Sequence, residues 1–227
     1  MKAVIDTGTM ITLSSTCLMN VFREFVKANR IELLISNTVA EESVWKPITN
    51  KRFALNAARI KFAMNENVVK TVPITNEIIK YQQKILNFSN NSFFTKQGPL
   101  AIIQSGEAEA LALAKINNAK ALFVDERTTR SLIENPARLK QVLERRQDET
   151  VSINQENLNA IRSMFPNLLM FRSVDLIATA FEQNLFNHEL AHGKLELEAA
   201  LWAAKFAGCA VSEAEINEYL SAYKGKI

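Results

Sequence analysis

The sequence predicts an α/β domain in three layers, a parallel sheet with helices on both faces and one inserted helical segment. Two observations predict it. Short apolar runs alternate along the chain with stretches whose apolar residues recur at helical spacing, and that alternation builds parallel sheets with right-handed crossovers. Two of the runs also end on an aspartate, Asp6 and Asp125, and in open sheets of this kind ligands sit beyond the carboxyl ends of the strands.

The first run, Ala3-Val4-Ile5, meets Asp6 and the small polar stretch Thr7-Gly8-Thr9, the pattern of a buried strand feeding a helix. Residues 10–28 carry Ile11, Leu18, Val21, Phe22, Phe25 and Val26 at helical spacing. Ile31 to Ile35 reads as a second strand, and Ser36, Asn37 or Thr38 can cap the helix after it. A helix is expected over 51–65, a strand over 68–72 stopped by Pro73, and a helix over 76–87. Residues 88–99 have turn chemistry and read as an exposed loop. Ser105 is expected to cap a helix over 106–117, and Lys120 to Val124 forms a strand ending at Asp125. The charged, irregular stretch at about 131–165 reads as a helical insertion. A last strand at 168–171 precedes helices near 174–186, 194–207 and 212–223. The chain, residues 1–227, therefore reads as one domain.

The bulk numbers exclude rather than identify. Hydrophobic residues make up 48% and charged residues 22%, an ordinary globular composition. A net charge of +3 permits a nucleic-acid partner without demanding one. No apolar run is long enough to span a membrane, and the start reaches Asp6 too early for a secretory segment, so a cytoplasmic location is expected. The two cysteines, Cys17 and Cys209, form no CxxC pair and read as buried free thiols.

Acids gather where the strands should end: Asp6, Glu41 and Glu42, Glu107 and Glu109, and Asp125. Clustered carboxylates repel one another unless a cation neutralises them. Hard divalent ions such as magnesium and manganese prefer such oxygen ligands and suit phosphoryl chemistry. Each acid also has a bland role available, Asp6 as a helix cap and the glutamates as first-turn acids.

Four segments in order resemble the PIN-domain family. Val4-Ile5-Asp6-Thr7-Gly8 is similar to its opening Asp-Thr-Ser/Asn motif, and Ser36-Asn37-Thr38-Val39-Ala40-Glu41-Glu42 to its second motif. Gly106-Glu107-Ala108-Glu109-Ala110-Leu111-Ala112-Leu113-Ala114 resembles the Gly-Glu-x-Glu-Ala motif of one branch. Leu122 to Arg130 resembles that branch's strand-Asp-Asp-x-x-Ala-Arg segment, and Val174 to Tyr223 its closing helices. The resemblance implies a ribonuclease holding Mg2+ or Mn2+ with Asp6, Glu42, Glu107 or Glu109, and Asp125, one of Glu41 and Glu42 pointing inward. Asp6, Glu42, Glu107 and Asp125 would be catalytic. Thr7 would support Asp6 beside the nucleic acid, and Arg127 or Arg130 would contact phosphate. RNA is the implied substrate, with an antitoxin or another protein as partner; such relatives are often dimers, although the sequence marks no dimer face. Gly8 stands where the family has Ser or Asn, and Glu126 where it has a second Asp.

Two other readings follow from particular residues. The departures at Gly8 and Glu126 suit a PIN-like scaffold that binds nucleic acid or protein without cutting. His188-Glu189-Leu190-Ala191-His192 is a literal His-Glu-x-x-His, the zinc hydrolase pattern, with Glu196 or Glu198 as a third ligand. Among the aromatics, Phe93 and Phe94 in the expected loop are candidates for stacking on unpaired bases or for contact with a protein.

Overall fold

The computed structural model describes residues 1–188, 190, 191 and 193–223. The chain runs β1 (Lys2–Ile5), α1 (Thr7–Ser15), α2 (Met19–Ala28), β2 (Glu32–Ser36) and the short α3 (Asn37–Ala40), which continues as a π turn over Glu41–Trp45 and a 3-10 turn over Pro47–Thr49. Next come α4 (Ala54–Asn65), β3 (Val69–Val72), α5 (Asn76–Asn90), β4 (Phe93–Thr95), β5 (Gly98–Pro99), α6 (Ser105–Ile116) and β6 (Ala121–Phe123). The remainder is α7 (Arg127–Glu134), α8 (Pro136–Gln147), β7 (Ser152–Ile153), α9 (Gln155–Met164), β8 (Leu169–Phe171), α10 (Ser173–Glu182), a 3-10 turn, α11 (Lys194–Ala207) and α12 (Glu213–Ala222).

The five central strands pair in the order β3-β2-β1-β6-β8, all parallel. Alternate side chains of each strand enter opposite cores. Ala3, Ile5, Leu33, Ile35, Ala121 and Phe123 pack with α1, α2, α4 and α10–α12. Val4, Leu34, Leu122 and Val124 pack with α5–α9. That two-sided burial is the three-layer arrangement the alternating pattern predicts, with β1 in the middle. No helix among the described residues is long and apolar enough to cross a membrane.

The segment at 88–99 differs from the expected exposed loop. The helix α5 runs on to Asn90, and β4 and β5 form an antiparallel hairpin whose tip needs Gly98 at φ +130°. The insertion supplies β7, which pairs antiparallel with β4 through Phe93 and Ile153. Phe93 is consequently fully buried rather than free to stack on a base. Phe94 is only partly exposed. The inserted residues Leu139, Leu143, Val151, Leu158 and Ile161 share the same core, so the insertion is built into one face of the domain.

The expected helix over 10–28 is two helices. Cys17 turns left-handed at φ 61° between them, and the Thr16 hydroxyl donates back to the Thr12 carbonyl at 3.0 Å. Cys17 is exposed, contrary to its reading as a buried thiol, whereas Cys209 is buried. Burial, and then the charge of Asp125, push the Cys209 thiol up to about 12. A thiol held protonated and covered reacts slowly. An aromatic disulfide reagent is therefore expected to titrate one thiol in the native protein and two after denaturation. Two fast native thiols would contradict the buried position of Cys209.

Candidate carboxylate site at the carboxyl rim of the sheet

The middle strand sets the first acid. Its successor Asp6 donates its backbone N–H to the Phe123 carbonyl at 3.1 Å, which ties it to the end of β6. Asp6 also caps α1, Oδ1 accepting from the Thr9 N–H at 2.8 Å. The carboxylate is pushed up to about 7, foremost by burial, with Thr9 opposing and the charges of Asp125 and Glu107 adding to the rise. A Cβ at position 8 would stand 3.5 Å from Asp6 Oδ2, an ordinary contact. Glycine there places no side chain against that oxygen.

Asp125 lies two residues beyond β6 and is buried. Its Oδ1 accepts from the Ser173 N–H at 2.7 Å and its Oδ2 from the Ser173 hydroxyl at 3.1 Å. Ser173 opens α10 directly after β8, so the neighbouring parallel strand supplies the clamp. The Asp125 carbonyl accepts from the Ala210 N–H at 3.2 Å, fixing the link between α11 and α12 beneath it.

The two glutamates of α6 point to different neighbours. Glu107 sits in the first turn and accepts from the Gln104 N–H in a capping box. The cap is therefore Gln104, not the expected Ser105. Burial raises the Glu107 carboxyl above its ordinary value, the Gln104 N–H lowers it, and the charge of Glu126 raises it further. Glu109 is buried and reaches the end of β2, where the Ser36 hydroxyl and the Thr38 hydroxyl (3.1 Å) both donate to it.

The expected helix start at Glu41 and Glu42 is instead a π turn, and both side chains are exposed. Glu42 is the one that reaches the rim, accepting from the Thr7 hydroxyl at 3.2 Å. Glu126 caps α7, taking the Thr128 N–H and hydroxyl at 3.1 and 2.8 Å.

Arg127 and Arg130 project from α7 toward α12. Arg127 lies 3.6 Å from Glu215, and Arg130 lies 4.0 Å from Glu215 and 3.7 Å from Glu134. The same Glu215 accepts from Arg172 at 2.9 Å. Ser173, Ser36 with Thr38, and Glu215 are thus parts of the arrangement that sequence reading did not assign to it. Ser173 had a signal: it follows its strand at the same rim as Asp6 and Asp125. Glu215 had none, because its partners are far away in the chain.

The rim therefore brings Asp6, Asp125 and Glu107 into one electrostatic neighbourhood, with Glu42 attached through Thr7 and Glu109 held aside on β2. Among the described residues, no three Asp, Glu, His or Cys side chains converge as a ready-made metal cage. The donor set is nonetheless the hard-oxygen kind that Mg2+ and Mn2+ prefer. Asp6, with the charges of Asp125 and Glu107 acting on it, is the acid that a cation would relieve most. The His188-Glu189-x-x-His192 motif lies outside the described residues except for the backbone of His188 and residues 190 and 191. A pocket of about 170 Å³ between Lys115, Lys120, Met164 and Leu168 opens at the opposite edge of the sheet and is lined by no acid. Comparison with protein-family models, with curated proteins and with solved structures returns no match to this chain.

Proposed function

We propose that this chain is a metal-dependent ribonuclease of the PIN kind, working at the carboxyl rim. The observation that carries the reading is the placement of Asp6 and Asp125 just beyond the carboxyl ends of the adjacent parallel strands β1 and β6, with Glu42 tied in through Thr7 and with Asp125 and Glu107 raising the Asp6 carboxyl. A protein that keeps such a repelling group gains from a cation placed among its oxygens. Asp6, Asp125 and Glu107 would hold Mg2+ or Mn2+, and Glu42 would approach from the Thr7 side. Such an ion supplies Lewis acidity to water and to a phosphodiester. Thr7 orients Glu42, Ser173 keeps Asp125 from turning, and Ser36 with Thr38 does the same for Glu109. Arg127 and Arg130 bring positive charge next to Asp125 in the chain and would meet substrate phosphate. The substrate would be RNA, in a toxin's role beside an antitoxin or in RNA processing.

A second reading is a scaffold that binds nucleic acid or protein without cutting. It is favoured by the hydrogen bonds that already engage both oxygens of Asp125 and of Glu109.

Incubation of varied RNAs with manganese separates the two. The nuclease reading expects metal-dependent cleavage by the native chain that falls at least about 100-fold in Asp6→Asn and in Asp125→Asn. Asparagine can still accept at both caps, so these variants should stay folded. RNA left intact by folded native protein would overturn the nuclease reading in favour of the scaffold.

A further inference from the structure

The stretch from Ser43 to Asn65 holds five cations, Lys46, Lys51, Arg52, Arg59 and Lys61, and no acid. Its local charge of +5 exceeds the +3 of the whole chain. Among the described residues none of the five makes an ion pair. Glu66, the next acid along the chain, is already paired with Arg23. Large apolar side chains stand exposed among these cations: Trp45 at 42%, Phe53 at 45%, Phe62 at 52% and Leu55 at 64%. Lys61 Nζ lies 5.3 Å from the centre of the Trp45 ring, and the Arg52 guanidinium carbon 5.4 Å from that of Phe53. Exposed aromatics gathered in this way mark a contact surface more often than a solvated one.

These residues share one surface. Leu55, Ala58 and Phe62, three and four residues apart, form the outward face of α4, opposite the buried Ala57, Ile60 and Ala63. Lys61 on one flank meets Trp45, and Arg59 on the other flank donates to the Ser14 carbonyl at 2.9 Å. The π turn that ends at Trp45 begins at Glu41 and Glu42. The surface therefore starts one turn away from the acid that Thr7 ties to the rim.

Repeated negative charge joined to flat apolar units is the chemistry of a polynucleotide. An acidic peptide would meet the cations but leave the rings in water. In a duplex the bases cover one another, so only an unpaired strand can offer its base faces to exposed rings. We infer that the face from Trp45 to Phe62 is the track for an unpaired stretch of RNA, which it leads past Glu42 to the rim. Trp45 and Phe53 stack on bases, the role that burial denies to Phe93, and Lys51 and Arg52 meet phosphate. The choice of RNA rests on the nuclease reading, but the binding itself needs neither a metal nor the rim acids.

Fluorescence anisotropy with a labelled, unstructured RNA of about 12 nucleotides tests this, with the full chain in a chelator so that nothing is cut. Trp45→Ala and Phe53→Ala should each weaken binding about tenfold, with circular dichroism unchanged, and should not alter the weaker binding of a duplex. Replacing both Lys51 and Arg52 by Ala should flatten the salt dependence by about 1.4 in log–log slope, whereas the same change at Arg145 and Arg146 on α8 should hardly affect it. Equal losses on single strand and duplex would overturn the inference, as would equal effects of the two double variants. Polyglutamate that displaces the RNA at equal charge would assign the face to an acidic protein instead. Metal-dependent cleavage without metal-free binding would overturn this inference alone, and binding without cleavage would overturn the nuclease reading alone.

Discussion

Asp6→Asn is expected to make the protein more stable and less active at once. In the native fold the carboxyl is raised to about 7 against an ordinary 3.8, so between those values the folded chain holds a proton that the unfolded chain has released. Stability therefore falls as pH rises through that window, and the cost is complete above about 7. Asparagine keeps the capping oxygen for the Thr9 N–H but carries no charge. At pH 8 the variant should gain about 1–2 kcal/mol, less than a fully dry carboxylate would give because the residue is only partly buried. The gain should vanish below about pH 4, where the acid is protonated in both states. Manganese should reverse the order, raising the melting temperature of the native protein and not that of the variant. Chemical denaturation at pH 4 and pH 8 reads the first effect. A variant less stable than the native chain at pH 8 would mean that Asp6 is an ordinary structural cap.

Arg172→Ala should produce the largest loss of stability. Arg172 is buried where β8 enters α10. Its guanidinium reaches Asp175 at 3.3 Å, the Ala210 carbonyl at 3.3 Å, Glu215 at 2.9 Å and the Tyr219 hydroxyl at 3.2 Å. Burial alone would favour its neutral form, but Asp175, Tyr219 and Glu215 together hold it charged. Removing it leaves two carboxylates near each other in a partly dry site and removes the guanidinium that ties α12 to the start of α10. A loss of about 3 kcal/mol is expected. The same cluster sets the acid limit. Burial raises the Glu215 carboxyl, yet Ser212 and Arg172 outweigh it and bring the group down to about 2. A folded value below the ordinary 4.5 gives stability that is present above that value and lost as pH falls from there toward about 2. In Arg172→Ala part of this acid sensitivity should disappear, and the larger share that comes from Ser212 should remain. An unchanged acid titration would show that Glu215 draws its stabilisation from Ser212 alone.

These expectations show what the sequence makes legible. Strands β1, β2 and β6 are short, apolar on both faces and stopped by polar residues, so their positions and the rim acids follow from local pattern. The partners of those acids do not. Ser173 clamps Asp125 across 48 residues, Thr38 meets Glu109 across 71, and Arg127 meets Glu215 from another helix. Such pairs depend on how the layers stack, and a serine or glutamate carries no periodicity that announces its partner. The hairpin of β4 and β5 is hidden for the same reason, since β7, which covers it, lies some fifty residues on. The break at Cys17 needed knowledge of a left-handed residue that helical spacing does not encode.

The central claim is that the rim acids accept a hard divalent cation, and the most direct measurement is manganese binding followed by the loss of the free-ion electron paramagnetic resonance signal. The account predicts binding by the native chain that saturates and is competed by magnesium, weakened at least about tenfold in Asp6→Asn and in Asp125→Asn. Native protein that leaves the free-manganese signal untouched, or variants that bind as well as the native chain, would contradict it.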